Sequence, residues 1–217
     1  MKNPQDGMTR QSMTVEDSAL PLDFSDDMDS WDLRILEPDD FDLKAEDQAV
    51  PDSESSSDDP YCCVFMESGY ETLVGKVVEY CGEGRVAVPR RIVSQYRRDQ
   101  WRDVIKPLLP GYLFIRGEPD SYRLRRINHV IRPLRYESGE TALQGDDLVF
   151  ASLMFRLNGT IPKLQAVVED DFVHVTDSLL SRMNGTVLSV NKRNRLAKVE
   201  INLLGRPTTF WLGLDLP

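Results

Sequence analysis

The chain has 217 residues, 41% of them apolar, with 26 Lys and Arg against 36 Asp and Glu and a formal net charge of −10. That length suits one or two small domains with modest cores. No run of about 18 apolar residues supplies a membrane span and no basic-then-apolar start supplies a secretory signal, so a cytoplasmic protein without a membrane partner is expected. The 3 cysteines, Cys62, Cys63 and Cys81, suit neither a disulfide framework nor a four-ligand zinc set and are expected as small core residues.

The charge is segregated. Residues 1–60 hold 18 Asp and Glu against 4 Lys and Arg, a net of −14, which leaves 18 acids against 22 bases and a net of +4 for residues 61–217. A mildly basic folded part behind an acidic leader is compatible with a nucleic-acid partner, which the overall balance would have argued against. Residues 1–60 lack sustained apolar periodicity and end in PDSESSSDDP, so they are expected to be disordered. Within them Phe24, Met28, Trp31, Leu33, Ile35, Leu36 and Phe41 are interleaved with carboxylates. Two readings stand: a segment that folds onto a partner or over its own protein's basic surface, and a solvating tail. Met8, Met13 and Met28 are alternative starts.

From Tyr61 the pattern changes. Tyr61 to Met66 is a short apolar run suited to a buried strand, and Ser68-Gly69-Tyr70-Glu71 reads as a capping box with Ser68 at the N-cap. Tyr70, Leu73, Val74, Val77 and Cys81 then recur at helical spacing, which predicts a helix to Gly82. Arg85 to Pro89 reads as a strand. Arg90 to Lys106 is rich in arginine and poor in apolar repeats and is expected as an exposed loop, its charges solvated beside Asp99 and Asp103 or facing nucleic acid. Pro107 and Pro110 bar helix, Gly111 frees the backbone to turn, and Tyr112 to Ile115 form a strand with Leu113 and Ile115 on one face and Tyr112 and Phe114 on the other. Such a strand is either wholly central or covers one face with another protein.

Asp120 or Ser121 caps a helix through Tyr122, Leu124 and Ile127, a strand follows at His129 to Arg132, a turn at Ser138-Gly139, and a helix from Gly145 through Phe155. The order β-α-β-β-α-β-α predicts a sheet with its helices mostly on one face. Residues 159–170 read as a linker that lets the flanking parts move independently. Beyond it the period becomes two: 172–175, 186–190, 197–203 and 208–212 are short strands, with Ala197, Val199, Ile201 and Leu203 facing in and Lys198, Glu200 and Asn202 facing out. That many strands in so short a span predict a small barrel. His129 and His174 have no Ser, Cys or Asp arrangement at motif spacing, so no catalytic residue, metal or cofactor is expected and function must come from surfaces.

Several of these segments resemble the NusG family of transcription elongation factors. They are the opening strand followed by Ser68-Gly69-Tyr70-Glu71 and a helix, and the stretch PLLPGYLFI from Pro107 with its Pro110-Gly111-Tyr112. The C-terminal part resembles a KOW domain, with Asn184-Gly185-Thr186-Val187 at the glycine turn and Leu204-Gly205-Arg206 before the last strand. The likeness runs from about Tyr61 to Leu216, and the ending AKVEINLLGRPTTFWLGLDL is similar to the LoaP branch of specialised antiterminators. It implies an α+β fold: a NusG-type N-terminal domain (61–158), an antiparallel sheet flanked by helices, joined by a linker (159–170) to a small all-β KOW barrel (171–217) behind the leader (1–60). It further implies that Leu109, Pro110, Gly111 and Tyr112 help seat the clamp helices of the RNA polymerase β′ subunit, with DNA of the transcription bubble nearby.

The second candidate surface is the turn Asn191 to Arg195. Read from the residues, Lys192, Arg193 and Arg195, with Lys198 on the following strand and Arg182 near the opposite turn, suit either plain hairpin solubility or the phosphate backbone of RNA. The resemblance implies the latter, a structured leader RNA. One departure bears on partners: where the family carries Gly and aromatics before the KOW glycine, this chain has Asp177-Ser178-Leu179-Leu180-Ser181-Arg182-Met183, which argues against contacts with Rho and a ribosomal protein. The implied function is a non-enzymatic, monomeric, operon-specific antitermination factor. The alternatives are a general elongation factor coupling transcription to Rho or the ribosome, and a structural rRNA-binding module.

Overall fold

The computed structural model describes residues 13–14, 59–169 and 172–216. Nearly all of the expected acidic leader lies outside the described residues. In chain order the first half comprises β1 (Met13–Thr14), β2 (Tyr61–Met66), α1 (Glu71–Tyr80), β3 (Arg85–Ala87), β4 (Arg90–Arg97), β5 (Gln100–Pro107), β6 (Tyr112–Arg116), α2 (Ser121–Leu124), β7 (Val130–Pro133), β8 (Arg135–Tyr136) and α3 (Gly145–Arg156). The second comprises β9 (Thr160–Ile161), β10 (Leu164–Glu169), β11 (Phe172–Val175), α4 (Ser178–Arg182), β12 (Thr186–Asn191), β13 (Leu196–Leu203) and β14 (Arg206–Asp215). The chain is mixed α+β, dominated by strands. No helix of the described residues is long and apolar enough to cross a membrane.

The first sheet is antiparallel in the order β3-β6-β2-β7, and β1 pairs with β8 beside it. Paired on both edges, β6 is wholly internal: Tyr112, Leu113, Phe114 and Ile115 are all buried. Leu113 and Ile115 join Val74 and Val78 of α1 and Leu124 of α2 in one apolar cluster, while Tyr112 and Phe114 join Leu134 and, from α3, Phe150 and Met154 in another. Helices therefore cover both faces, where most were expected on one. An alternating strand with apolar residues at every position demands cover on each side.

The buried face of α1 also differs from expectation. Glu71, Val74, Gly75 and Val78 face in, whereas Tyr70 and Leu73 are 41% and 54% exposed and Cys81 is exposed. Gly75 decides this, because a Cβ there would lie 3.0 Å from Val86 and 3.4 Å from Leu113, so the helix settles onto the sheet where it has no side chain. Ser68 does not cap it; the N-cap residue is Tyr70, without a side-chain cap bond. The Glu71 carboxylate instead accepts the Gly69 N–H at 2.9 Å and, across the fold, the Gly111 N–H at 2.7 Å. Asp120 caps α2 as expected, accepting the Tyr122 N–H at 2.8 Å.

Residues 90–107 are a hairpin rather than a loop. β4 and β5 pair from Arg90 opposite Pro107 to Arg97 opposite Gln100, and Arg98 and Asp99, at φ of 49° and 61°, form the two-residue turn whose twist suits a hairpin. The stretch read as a linker carries β9, which lies parallel to β4, and β10, which lies parallel to β14. The last sheet has the order β11-β10-β14-β13-β12 and is nearly closed. In β13, Ala197, Val199, Ile201 and Leu203 are buried at 1% exposure or less, the alternation expected from the sequence.

Glu71 is 8% exposed and holds two backbone N–H groups. Glu71→Ala leaves both without that acceptor and should lower unfolding free energy by about 1.5–3 kcal/mol, whereas Glu71→Gln should lose less. Urea denaturation midpoints of the two variants check this; equal losses would mean that only the carboxylate charge matters.

Candidate functional site

The turn before β6 is held by backbone bonds on every side. The Leu108 N–H donates to the Pro89 carbonyl at 2.9 Å, the Tyr112 N–H to the Leu109 carbonyl at 3.2 Å, and the Gly111 carbonyl accepts the Met66 N–H at 2.8 Å. Gly111 sits at φ +80°, and a Cβ on it would come within 2.9 Å of the Met66 carbonyl oxygen, so no other residue fits. The four residues expected as a polymerase contact are thus brought together. They do not form an open patch: Leu109 and Tyr112 are 2% and 5% exposed, Gly111 is buried and Pro110 half-buried.

The apolar cluster that buries Leu109 and Tyr112 extends into the C-terminal sheet. Both belong to the apolar cluster that takes in Leu203, Leu204 and Phe210. Burial, with Cys63 adding, pushes the Tyr112 hydroxyl up to about 12, while the charges of Arg206, the first residue of β14, and of Arg132 pull the other way. The Tyr112 ring lies 5.2 Å from that of Phe65.

Polar contacts fasten the two halves around this cluster. Asp147, in the first turn of α3, accepts the Leu204 N–H at 2.6 Å with one oxygen and the Tyr136 hydroxyl at 2.8 Å with the other. Asn184 donates to Asp146 at 2.9 Å, Arg91 donates to the Trp211 carbonyl, and Lys163 pairs with Asp103 at 3.0 Å and Asp215 at 3.3 Å. Burial pulls the Arg91 guanidinium down to about 10. Partial burial alone would raise the Asp103 carboxyl, but the Ser94 hydroxyl and the Lys163 ammonium, helped by the Arg195 charge, outweigh it and hold it below its ordinary range.

The basic residues fall into two places. Lys192 and Arg193 are exposed in the β12–β13 turn, Arg195 is half-buried beside them, and Lys198 follows on β13. Arg182, at the end of α4, lies beyond the other end of β12, roughly 17 Å away by strand rise. Lys192, Arg193 and Arg195 thus share one turn, Lys198 stands three residues along β13, and Arg182 lies apart. The structure also adds residues not expected there: the Arg195 guanidinium lies 4.7 Å over the Trp101 ring, and Trp101 packs edge-on to Tyr96 with centroids 5.4 Å apart.

Among solved structures the chain is similar to one described as "Domain interaction in Thermotoga maritima NusG", at 18% identity and a TM-score of 0.36, over 71% of this chain and 93% of that chain. No protein-family model matches the sequence, and no curated protein matches it.

Among the described residues no group of three or more His, Cys, Asp or Glu could hold a metal ion. His129 is engaged locally, stacked on Tyr70 at 3.6 Å with its Nδ1 2.8 Å from Glu67. Burial pushes the Cys62 thiol up to about 12 and Cys63 well above its ordinary value, which keeps both out of nucleophilic chemistry at neutral pH.

Burial also raises the Asp147 carboxyl, with Asp146 adding and the bonds from Leu204 and Tyr136 opposing. A carboxyl raised by folding contributes stability that is complete below its unfolded value of about 3.9 and is lost as pH rises through the folded value. Asp147→Asn keeps an acceptor for Leu204 without the charge, so its stability relative to the parent should improve from pH 4.5 to pH 8. Denaturant midpoints at the two pH values check the sign.

Proposed function

We propose that the protein is a non-enzymatic transcription elongation factor of the NusG type, binding RNA polymerase through the turn at Leu109 to Tyr112 and RNA through the basic edge of a KOW-like C-terminal sheet. The finer reading is operon-specific antitermination in the manner of the LoaP branch, acting in the cytoplasm as a monomer. The observation that carries the proposal is the bond between Glu71 and Gly111: the two motifs on which the family resemblance rests, Ser68 to Glu71 and Pro110 to Tyr112, meet at 2.7 Å and form one unit. Motif residues that lie 40 apart in sequence yet share a bond are harder to ascribe to chance than either string alone.

A factor of this kind holds the polymerase in its elongating state by binding that state more tightly, without chemistry of its own. Seating a partner's helices takes apolar side chains in the open, and burial of one aromatic contributes about 1.5–3 kcal/mol. Leu109 and Tyr112 are buried as the molecule stands. Polymerase binding on this reading therefore requires the C-terminal sheet to move aside, and the contacts that fasten it oppose binding.

Lys163→Ala together with Asn184→Ala cuts one half-buried and one exposed contact between the halves without touching residues 109–112. Polymerase retained by the tagged double variant should rise roughly 2- to 5-fold over the parent, the effect of about 1 kcal/mol of weak surface pairing. A pulldown from the host, with the RNA sequenced, tests the whole reading. Polymerase with one or a few leader RNAs is the expected result, and polymerase with transcripts from everywhere would make it a general factor. Ribosomes without polymerase would overturn the reading.

A further inference from the structure

The free end of the β4–β5 hairpin carries two aromatic rings that the fold does not use as core. Tyr96 is 59% and Trp101 40% exposed, although they stand directly opposite each other across the hairpin. A cross-strand aromatic pair stabilises a hairpin by under about 1 kcal/mol, and placing both rings at the open end leaves much of their area in water. Their surroundings are basic. Residues 90–107 hold 6 Lys and Arg against 2 Asp, and one of those, Asp103, is taken up by Ser94 and Lys163. Arg98 is exposed in the turn, and Arg97 and Arg102, one residue from each ring, are exposed on the other face of the ribbon. From the second half of the chain Arg195 adds its guanidinium over Trp101, with exposed Arg193 close by in sequence.

We propose that Tyr96, Trp101 and Arg195 form a stacking site for the unpaired bases of a single-stranded nucleic acid, whose phosphates run along Arg98 and Arg193. Every base has a π face, aromatic rings and guanidinium planes stack on it without regard to sequence, and neighbouring arginines supply the counter-charge for the backbone. A duplex keeps its base faces inside and could use only the charge. The site deepens the reading of the β12–β13 turn as an RNA surface and rests on it through Arg193 and Arg195. It extends that surface onto the first half of the chain.

The test uses the full-length protein and fluorescence anisotropy at low salt. Its probes are a labelled single-stranded RNA of roughly ten nucleotides, the matching DNA, an abasic strand of equal charge and an RNA hairpin. Tyr96→Ala should weaken RNA binding roughly 5- to 100-fold, the range for loss of one stacked base, while Tyr96→Phe should bind as the parent does. The strand should quench tryptophan fluorescence in the parent and in Trp211→Phe, and not in Trp101→Phe; this readout holds even if Tyr96→Ala perturbs folding. RNA bound more tightly than DNA would identify a transcript as the ligand, and equal binding an exposed DNA strand; both support the site. Equal single-strand affinity of Tyr96→Ala and the parent, an abasic strand bound as tightly as the natural one, or an equal loss on Tyr96→Ala for the hairpin, whose stem bases are paired, would overturn it. Lys192→Ala with Arg193→Ala separates the two readings: loss on that change with Tyr96 silent keeps the basic turn and removes the stacking site. The reverse keeps the stacked rings and removes the turn, Arg193 with it.

Discussion

A carboxylate almost without access to water must find its hydrogen bonds inside the protein, and Glu71 finds them at Gly69 and Gly111. The second of these bonds governs the sheet. In most strands register is fixed because a slip of one residue would turn apolar side chains out to water. β6 has no such safeguard, since Tyr112, Leu113, Phe114 and Ile115 are all apolar and all buried, and a slip would exchange one apolar pair for the other. What distinguishes the registers is polar: Gly111 offers its N–H to Glu71 and its carbonyl to Met66, and only a glycine reaches that conformation with the Met66 backbone so near. The pairing of Val64 with Leu113 and of Phe65 with Tyr112 follows from that anchor. The position of α1 follows too, because Glu71 is its first residue.

The same device joins the two halves. Asp147 is 5% exposed and takes the N–H of Leu204, in the turn between β13 and β14, together with the Tyr136 hydroxyl, which itself accepts the Gln144 N–H at 2.9 Å. Around this buried joint the fastenings are half-exposed ion pairs and a ring contact, each worth little alone. Attachment therefore depends on a desolvated carboxylate, on the partly buried Arg91 guanidinium at the Trp211 carbonyl and on the shared apolar cluster, with a weaker polar rim.

Much of this was legible in the residues. Tyr61 to Met66 and Ala197 to Leu203 carry apolar patterns that leave no other placement, and Asp120 caps its helix as its residue type suggests. The misread elements share a cause, which is dependence on a distant partner. The inward face of α1 is chosen by a glycine that fits against Val86 and Leu113, so the longer apolar stripe through Tyr70 and Leu73 was misleading. β9 and β10 are paired by β4 and β14, and the alternation of Leu164, Ala166 and Val168 that marks β10 stands next to Gly159 and Pro162, which favour a linker reading. The hairpin of β4 and β5 lies largely in water and needs no apolar alternation; its signal was the Arg98-Asp99 turn with Tyr96 and Trp101 placed symmetrically about it. Burial of Leu109 and Tyr112 was invisible for the same reason, since the cluster they join runs on to residues nearly a hundred positions later.

The two proposed surfaces cannot be used independently. Arg195 reaches Trp101 only while the C-terminal sheet lies against the hairpin, and Leu109 and Tyr112 are buried in that same arrangement. A single strand that contacts Trp101 and Arg195 together would stabilise the arrangement that hides the apolar turn, and a polymerase seated on that turn would pull the stacking site apart. By linkage each must weaken the other by the same factor, whichever binds first. The basic turn at Lys192 and Arg193 travels with the sheet and keeps its charge in either arrangement, so RNA held there is compatible with polymerase. On the proposed readings, contact through stacked rings is tied to the docked state, whereas contact through the charge of the β12–β13 turn is not.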